Sequence, residues 1–148
     1  MIMPKTRGLT LIAALIAGTS TAVAVAGEIV DVYKTPNCSC CRKWADHLRK
    51  AGFDVRTHNV LSLLAARNHF GVPDSMASCH SAKVAGYVIE GHVPVADILR
   101  LIQQKPAARG LAVPGMPIGS PGMEGTKATP FNTFLIKRDG GTEVFAKH

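Results

Sequence analysis

The stretch that decides the fold is residues 35–44, TPNCSCCRKW, which place three of the four cysteines within four positions. It stands between a β-type run at residues 28–34 and a helical pattern that begins near Cys40. Three thiols so close together cannot all be disulfide partners of one another, and only Cys79 lies elsewhere. A pairing of Cys40 with Cys41 would close a strained ring. The cluster therefore indicates soft-metal binding or redox chemistry rather than a set of structural disulfides.

The first 26 residues have the pattern of a secretory signal peptide. Lys5 and Arg7 form a basic start, residues 9–17 are apolar, and residues 24–26 (AVA) offer a small-residue cleavage site. An uncleaved N-terminal anchor is the alternative, although the apolar run is short for a membrane span. We expect residues 1–26 to be removed on export and residues 27–148 to form one domain. An exported chain works where disulfides persist.

The charge pattern excludes some classes of partner. The chain has 17 Lys and Arg against 10 Asp and Glu, a formal net charge of +7. These positive residues are scattered and never run longer than a pair, such as Arg42-Lys43, and aromatic residues are few. We therefore expect neither a nucleic acid nor, after cleavage, a membrane as partner.

The first half of the mature chain predicts a strand–helix–strand–helix unit. Residues 28–34 and 53–60 alternate in polarity as strands do, and residues 40–51 repeat apolar side chains at helical spacing before Gly52. Residues 62–70 predict a second helix. The cysteine cluster thus falls on the first turn from strand to helix.

The second half predicts further elements with a long irregular segment between them. They are a loop at 74–82, a strand at 83–90, a helix from Val95 that ends before Pro106, a Gly/Pro/Met-rich segment at 109–130, and a hairpin of strands 132–137 and 143–147. The Gly/Pro/Met-rich segment cannot be regular structure throughout.

This order of elements predicts an α/β, thioredoxin-like fold. It has a mixed central sheet flanked by helices, with an inserted strand–helix segment before the C-terminal hairpin. The cysteines of residues 38–41 then occupy the position of a thioredoxin active site. In that fold the loop before the last hairpin carries a cis-proline beside the cysteines, which here would be Pro114 or Pro117.

Cys38 and Cys41 have C-x-x-C spacing at a predicted helix N-terminus. There the helix dipole stabilises thiolates, which serve equally as redox nucleophiles and as soft-metal ligands. A dithiol oxidoreductase needs only two cysteines, so the additional Cys40 favours a metal site that Cys79 completes. Cu(I) prefers such sulfur ligands and shares them between ions. Zn(II) accepts four sulfurs as well, but C-x-C-C is cramped for one tetrahedron.

Further candidate ligands lie outside the cysteine turn. Met116 and Met123 offer thioether sulfur in the Gly/Pro-rich segment, although methionine also serves as a gap-filler in loops. His80 adjoins Cys79 and would ligate the metal or orient a ligand, with an exposed loop histidine as the alternative. His92 is a weaker candidate of the same kind.

The combined motifs resemble the CopG-type family of exported copper-resistance proteins. The resemblance rests on residues 36–44, on Ser78-Cys79-His80-Ser81-Ala82, on residues 86–94 (GYVIEGHVP), on residues 110–117 (GLAVPGMP) and on residues 119–124 (GSPGME). It covers nearly all of the mature chain. It implies a thioredoxin-like protein of the bacterial periplasm that binds copper through Cys38, Cys40, Cys41 and Cys79.

The function that we expect is Cu(I) binding for copper tolerance. The resemblance also implies interconversion of Cu(I) and Cu(II), which would make the protein a copper oxidoreductase, and exchange of copper with other periplasmic copper-handling proteins. The alternative is a thiol–disulfide oxidoreductase of thioredoxin type, in which Cys38 is the nucleophile and Cys41 resolves the mixed disulfide. A structural zinc domain is the third reading of the same cysteines.

Overall fold

A computed structural model describes residues 27–148, and the predicted signal peptide at residues 1–26 lies outside the described residues. The described part contains seven strands and three α-helices. In chain order they are β1 (Ile29–Lys34), α1 (Ser39–Lys50), β2 (Asp54–Asn59), α2 (Leu63–Phe70), β3 (His80–Val84), β4 (Tyr87–Glu90), α3 (Val95–Gln104), β5 (Ala108–Ala112), β6 (Asn132–Lys137) and β7 (Thr142–Lys147). A short 3-10 helix at Asp74–Met76 precedes β3.

All seven strands belong to one mixed sheet with the order β2-β1-β3-β4-β5-β6-β7. The pairs β1/β2 and β4/β5 are parallel, and the other pairs are antiparallel. Strand β3 starts beside the end of β1, because Lys34 pairs with His80. This pairing places the segment just before β3 next to the turn that follows β1.

The two faces of the sheet pack against different helices. On one face, Val32 and Ile89 lie in the same core cluster as Trp44 and Leu48 of α1 and Leu101 of α3. Helix α1 buries Cys41, Trp44, Ala45 and Leu48, which is the spacing of one helical face. On the other face, Phe70 of α2 packs against a second cluster that is formed by Val72, Met76, Val88, Ala112 and Ile136.

The structure confirms the predicted mixed α/β class, the first four elements and the C-terminal hairpin. It corrects the predicted single strand at 83–90, which is instead the hairpin β3–β4. The chain reverses at Ala85 and Gly86, both with positive φ (47° and 83°). The reversal was missed because alanine, unlike glycine, rarely adopts that conformation.

The predicted insertion of one strand and one helix before the C-terminal hairpin is also corrected. Three strands and one helix stand between α2 and the C-terminal hairpin, and β3 and β4 are inner strands of the sheet. The predicted loop at 74–82 ends early because β3 begins at His80, and β5 occupies the start of the Gly/Pro/Met-rich segment. Strand β5 can pair with β4 because residue 110 is a glycine. A Cβ at this position would lie 1.7 Å from the Val88 carbonyl oxygen.

Residues 113–131 connect β5 to β6 and form the β5–β6 loop. Neither Pro114 nor Pro117 has a cis peptide bond, and none occurs elsewhere in residues 27–148. The expected cis-proline is therefore wrong. Within the same residues, no helix combines the length and the apolar character needed to cross a bilayer.

Candidate metal centre

The cysteine turn is built by the end of β1 and the start of α1. Cys38 is the N-cap residue of α1, with extended backbone angles, and its Sγ accepts a hydrogen bond from the Cys41 amide at 3.3 Å. The first turn of the helix holds no acidic residue. Capping through the side chain turns the Cys38 sulfur back towards the helix N-terminus, where the amide groups favour negative charge.

The structure brings all four cysteines together. Cys38 and Cys41 form a disulfide, while Cys40 and Cys79 are free. The Cys40 Sγ lies 3.5 Å from the Cys38 Sγ and 3.7 Å from the Cys79 Sγ, and the Cys41 Sγ lies 3.7 Å from the Cys79 Sγ. All four sulfurs lie within 4.8 Å of one another, which is close enough for several of them to bind the same metal ion.

A buried carboxylate fixes the segment that carries Cys79. Glu90 is fully buried, and its Oε1 accepts a hydrogen bond from the Ser78 amide at 2.8 Å. Its Oε2 accepts from the Ser81 hydroxyl, and the Arg67 guanidinium lies 3.8 Å from Oε1. Burial raises the pKa of Glu90, against these hydrogen bonds and the Arg67 charge, which lower it. Glu90 thus anchors the chain on both sides of Cys79.

Two buried histidines join Cys79 in a second group of candidate ligands. The Cys79 Sγ lies 2.9 Å from His92 Nε2 and 3.3 Å from His80 Nδ1, and neither histidine is exposed. These three ligand atoms also lie within 4.8 Å of one another. The His80 ring packs against Trp44, and its Nε2 has no hydrogen-bond partner among the described residues. Cys79 therefore belongs to both groups.

The protonation states follow from burial. Burial, followed by the repulsion of the nearby Cys40, raises the pKa of Cys79 to about 12. Burial lowers the pKa of His80 to about 3, with a further contribution from His92, and it lowers the pKa of His92 as well. At neutral pH both imidazoles are uncharged and each keeps a nitrogen lone pair, which is the form that binds metal ions.

The β5–β6 loop crosses the N-terminus of α1. Gly122 lies so close that a Cβ there would be 2.7 Å from the Cys40 carbonyl oxygen and 2.9 Å from the Trp44 amide nitrogen. The Pro121 carbonyl accepts a hydrogen bond from His92 Nδ1 at 2.8 Å. The loop therefore both covers the cysteine turn and orients one of the histidines.

Of the predicted methionine ligands, only Met123 lies beside the cysteine turn. Met123 and Cys40 both line a cavity of about 330 Å³ between α1 and the β5–β6 loop. Met116 is 52% exposed and does not line this cavity. Met76 is buried in the second core cluster, where it packs as an ordinary apolar residue.

A polar contact holds the loop to the helix. His47 Nε2 donates to Glu124 Oε1 at 2.6 Å, and the same carboxylate accepts from the Gly122 amide at 2.8 Å. The backbone hydrogen bonds of Gly122 and Glu124, together with His47, lower the pKa of the Glu124 carboxyl to about 2. Glu124 is thus ionised throughout the physiological pH range.

Sequence reasoning underrated His92. It lies 13 positions after Cys79, but β3 and β4 form a hairpin that brings the two residues side by side. The contact could have been predicted only if the turn at Ala85 had been recognised, because a single strand over this region would keep Cys79 and His92 apart.

Comparisons with known proteins relate this chain to one family model and to two solved structures. The family model described as a protein of unknown function, DUF411, matches residues 76–123, which contain Cys79, both histidines and Met123. Two solved structures described as copper resistance protein CopG are 41% identical to this chain. Each covers 82% of this chain and 98% of its own, with TM-scores of 0.79 for form 2 and 0.78 for form 1. No curated protein sequence matches the chain.

The fold and the site define a mixed α/β protein with a cysteine and histidine centre of the kind that suits soft metal ions. At 41% identity over most of its length, the chain belongs to the family of CopG copper-resistance proteins.

Proposed function

We propose that this protein is exported to the periplasm, where it binds Cu(I) through Cys38, Cys40, Cys41 and Cys79 and thereby serves copper tolerance. His80 and His92 complete the ligand set on the Cys79 side. The single observation that carries the proposal is the convergence of three other sulfurs and two imidazoles on the Cys79 sulfur. The description of the related solved structures as copper resistance proteins supports the choice of metal.

The sulfur geometry favours more than one copper ion. Three of the five non-bonded sulfur pairs are separated by 3.5–3.7 Å, and Cys79 belongs to both ligand groups. Cu(I) accepts few ligands and readily shares bridging thiolates. A bridging Cys79 thiolate would then connect a copper ion held by the cysteine turn to one held by the two histidines.

The disulfide between Cys38 and Cys41 adds a redox step to the proposal. Copper binding at these positions requires both thiolates, so an external thiol reductant must first supply two electrons and two protons to open the disulfide. In the reverse direction, the dithiol of Cys38 and Cys41 gives one electron to each of two Cu(II) ions. The products are the disulfide, two Cu(I) ions and two protons. When this step runs backwards, two Cu(I) ions reduce the disulfide, two protons are taken up, and the products are the dithiol and two Cu(II) ions. The two directions together are the interconversion of Cu(I) and Cu(II) that we propose for the site.

The methionines would act before the thiolates. Met123, which lines the same cavity as Cys40, would pass Cu(I) inward, and the exposed Met116 would meet copper or a copper-handling partner protein at the surface. Thioethers bind Cu(I) without losing a proton, which suits them to transient binding.

Two further features belong to this proposal. Residues 1–26 act as the signal peptide and residues 27–148 as one domain.

The part from β1 to α3 has the order β-α-β-α-β-β-α with strands in the order β2-β1-β3-β4. We take that part as the thioredoxin-like unit, with α3 as its last helix and β5–β7 as an extension of the sheet.

A Cu(I) titration against a competing chelator tests the function. We expect the fully reduced domain to bind more than one equivalent, and the disulfide form to bind fewer until reductant is added. Single Cys→Ser changes at Cys38, Cys40 and Cys41 should each lower the stoichiometry or the affinity. Binding no tighter than that of a variant without cysteines would refute the proposal.

A second candidate function rests on the same disulfide. A C-x-x-C disulfide at a helix N-terminus is typical of thiol–disulfide oxidoreductases, in which Cys38 would attack and Cys41 would resolve. Reduction of insulin by the metal-free dithiol distinguishes the two functions. Rapid turnover without copper would favour the oxidoreductase, whereas unfolding of the reduced protein by a zinc chelator would instead indicate structural zinc.

A further inference from the structure

A second concave site lies away from the candidate metal centre. It is a pocket of about 510 Å³ between the end of α2 and strands β3–β5, and we call it the basic pocket. Its cationic lining residues are Lys83, Arg109 and Arg138, and His69, Phe70 and Val88 also contribute. Lys83 is three residues beyond His80 along β3, about 10 Å away. Its side chain lies on the opposite face of the sheet, because alternate residues of a strand face opposite sides.

The cations of the basic pocket have no direct carboxylate partner among the described residues: Asp31 stands opposite Lys83 in the sheet register, but its carboxylate accepts a hydrogen bond from His58 instead. No acidic residue lines the pocket, and within residues 27–148 none of its three cations forms an ion pair with a carboxylate.

Lys137, which precedes Arg138 in the chain, does form an ion pair with Glu143 at 2.7 Å. A carboxylate is therefore available at the turn between β6 and β7, but it does not pair with Arg138. The Asp139 carboxylate instead accepts a hydrogen bond from the Gly141 amide. Three cations around one cavity repel one another, and an anion relieves that repulsion.

Arg109 is held in place before any ligand arrives. Its Nη2 donates to the Arg138 carbonyl at 2.9 Å, and its Nη1 lies 3.4 Å from the Phe70 carbonyl oxygen. The guanidinium rests on the backbone of Gly71, where a Cβ would come within 2.5 Å of Nη1. Gly71 also ends α2 with a positive φ of 67°. A guanidinium that is already ordered binds an oxyanion at a smaller entropic cost.

A neighbouring cavity extends the basic pocket. It has a volume of about 310 Å³, shares Gly86, Ala108 and Arg138 with the basic pocket, and adds Lys105 as a fourth cation. Ala85 and Lys105, which both line it, are the two non-glycine residues with positive φ in the described chain (47° and 48°). Strained backbone conformations concentrate at binding sites.

We propose that the basic pocket binds a small molecule that carries two or more phosphate or carboxylate groups. The guanidinium groups of Arg109 and Arg138 match the geometry of such oxyanions, and Lys83 adds a point charge. Phe70 and Val88 supply an apolar wall for the carbon part of the ligand. The volume is in the range of small-molecule sites. The proposal is independent of copper binding, because the pocket contains none of the candidate copper ligands.

Titration of the metal-free domain, followed by ¹H–¹⁵N spectra, tests the proposal. The probes are inorganic pyrophosphate and succinate, and vesicles that contain phosphatidylglycerol form a separate sedimentation arm. We expect saturable shifts of the Gly71, Gly86 and Arg109 amides with at least one soluble probe. The double variant Lys83→Gln/Arg138→Gln should bind that probe about tenfold or more weakly, since each lost charge-assisted hydrogen bond costs about a factor of ten.

The matched control is Lys50→Gln/Lys147→Gln, which removes the same charge from exposed positions outside the pocket. It should leave the affinity unchanged within about twofold. An equal loss of probe affinity in the control variant would overturn the proposal. So would the absence of a saturable shift with either soluble probe at 20 mM, which is roughly tenfold above a weak millimolar affinity. Sedimentation with vesicles without any soluble binding would also overturn it, by assigning the basic pocket to a lipid surface. If the double variant does not fold, the wild-type titration alone decides: saturable shifts of the pocket amides support the proposal, and their absence overturns it.

Discussion

The Cys79 thiol donates a hydrogen bond to Nε2 of His92 across 2.9 Å, in the centre of the candidate metal site. The direction follows from the other ring nitrogen, since Nδ1 donates to the Pro121 carbonyl and so carries the imidazole proton. It agrees with the raised pKa of Cys79 and the lowered pKa of His92. A metal ion that replaces this thiol proton finds a sulfur and a nitrogen already facing each other.

We predict that His92→Ala weakens Cu(I) binding by about 10- to 100-fold, the range found for residues that orient or complete a metal site. The change removes a buried nitrogen next to the Cys79 sulfur and frees the Pro121 carbonyl. Chelator competition on the reduced domain measures it. His69→Ala is the control, because His69 is exposed on α2. Equal affinities of the two variants would exclude His92 from the site.

We predict that acid destabilises the metal-free protein through His80. Its pKa is about 3 in the folded state, against 6.5 for an unperturbed histidine, so the unfolded chain binds the extra proton between these values. The free energy of unfolding should therefore fall as the pH decreases below 6.5. The loss from His80 alone is about 2 kcal/mol between pH 7.5 and pH 5. Urea titrations at both pH values measure it.

The variant His80→Leu isolates this contribution, because leucine fills much of the buried space without a titratable group. Its pH dependence should be smaller than that of the wild type, whatever its absolute stability. His92 contributes in the same direction, since its pKa is also lowered. An unchanged pH dependence in His80→Leu would mean that another group causes the acid sensitivity.

We predict that His47→Ala accelerates the release of Cu(I) while it hardly changes stability. The hydrogen bond from His47 to Glu124 ties the β5–β6 loop to α1, but both side chains are about half exposed (42% and 55%). Exposed pairs of this kind contribute about 0.2–1 kcal/mol. Stopped-flow transfer of Cu(I) to a chelator measures the release rate.

Arg49→Gln is the control for that variant. It breaks another exposed pair of α1, the one between Arg49 and Asp46, without touching the loop. Copper release from Arg49→Gln should match the wild type. If both variants release copper at the wild-type rate, the loop contact does not limit exchange.

We predict that Gly122→Ala destabilises the domain by about 2 kcal/mol or more and lowers its Cu(I) affinity. The residue has a φ of +87°, and its new Cβ would meet the backbone at Cys40 and Trp44, which cannot move aside cheaply. Thermal unfolding and chelator competition measure the two effects.

Gly140→Ala separates the clash from the backbone strain. Gly140 has a nearly identical φ of +89°, but a Cβ there would meet no atom within 4 Å. We expect Gly140→Ala to lower the free energy of unfolding only by the backbone strain, about 1 kcal/mol. The affinity for Cu(I) should not change. Equal losses in both variants would show that the close approach of the loop to α1 does not matter.

The local features of this protein could be predicted from its sequence. Alternating polarity located β1 and β2, helical spacing located α1, and three cysteines in four positions located the candidate metal centre. These features involve residues that are neighbours along one strand or one helical face, so the pattern and the contact coincide. Cys79 and His80 were predicted from the chemistry of their side chains, before the family resemblance supported Cys79, because no local pattern connects them to the cysteine turn.

Only the tertiary structure decided which distant residues meet. The β3–β4 hairpin depends on Ala85 in a conformation that alanine rarely adopts, and it brings His92 to Cys79. The order of the strands places Lys83 beside Arg109 and Arg138, and so creates the basic pocket. Such contacts depend on strand order and turn geometry, because the free energy of pairing is set by partners far apart in the chain.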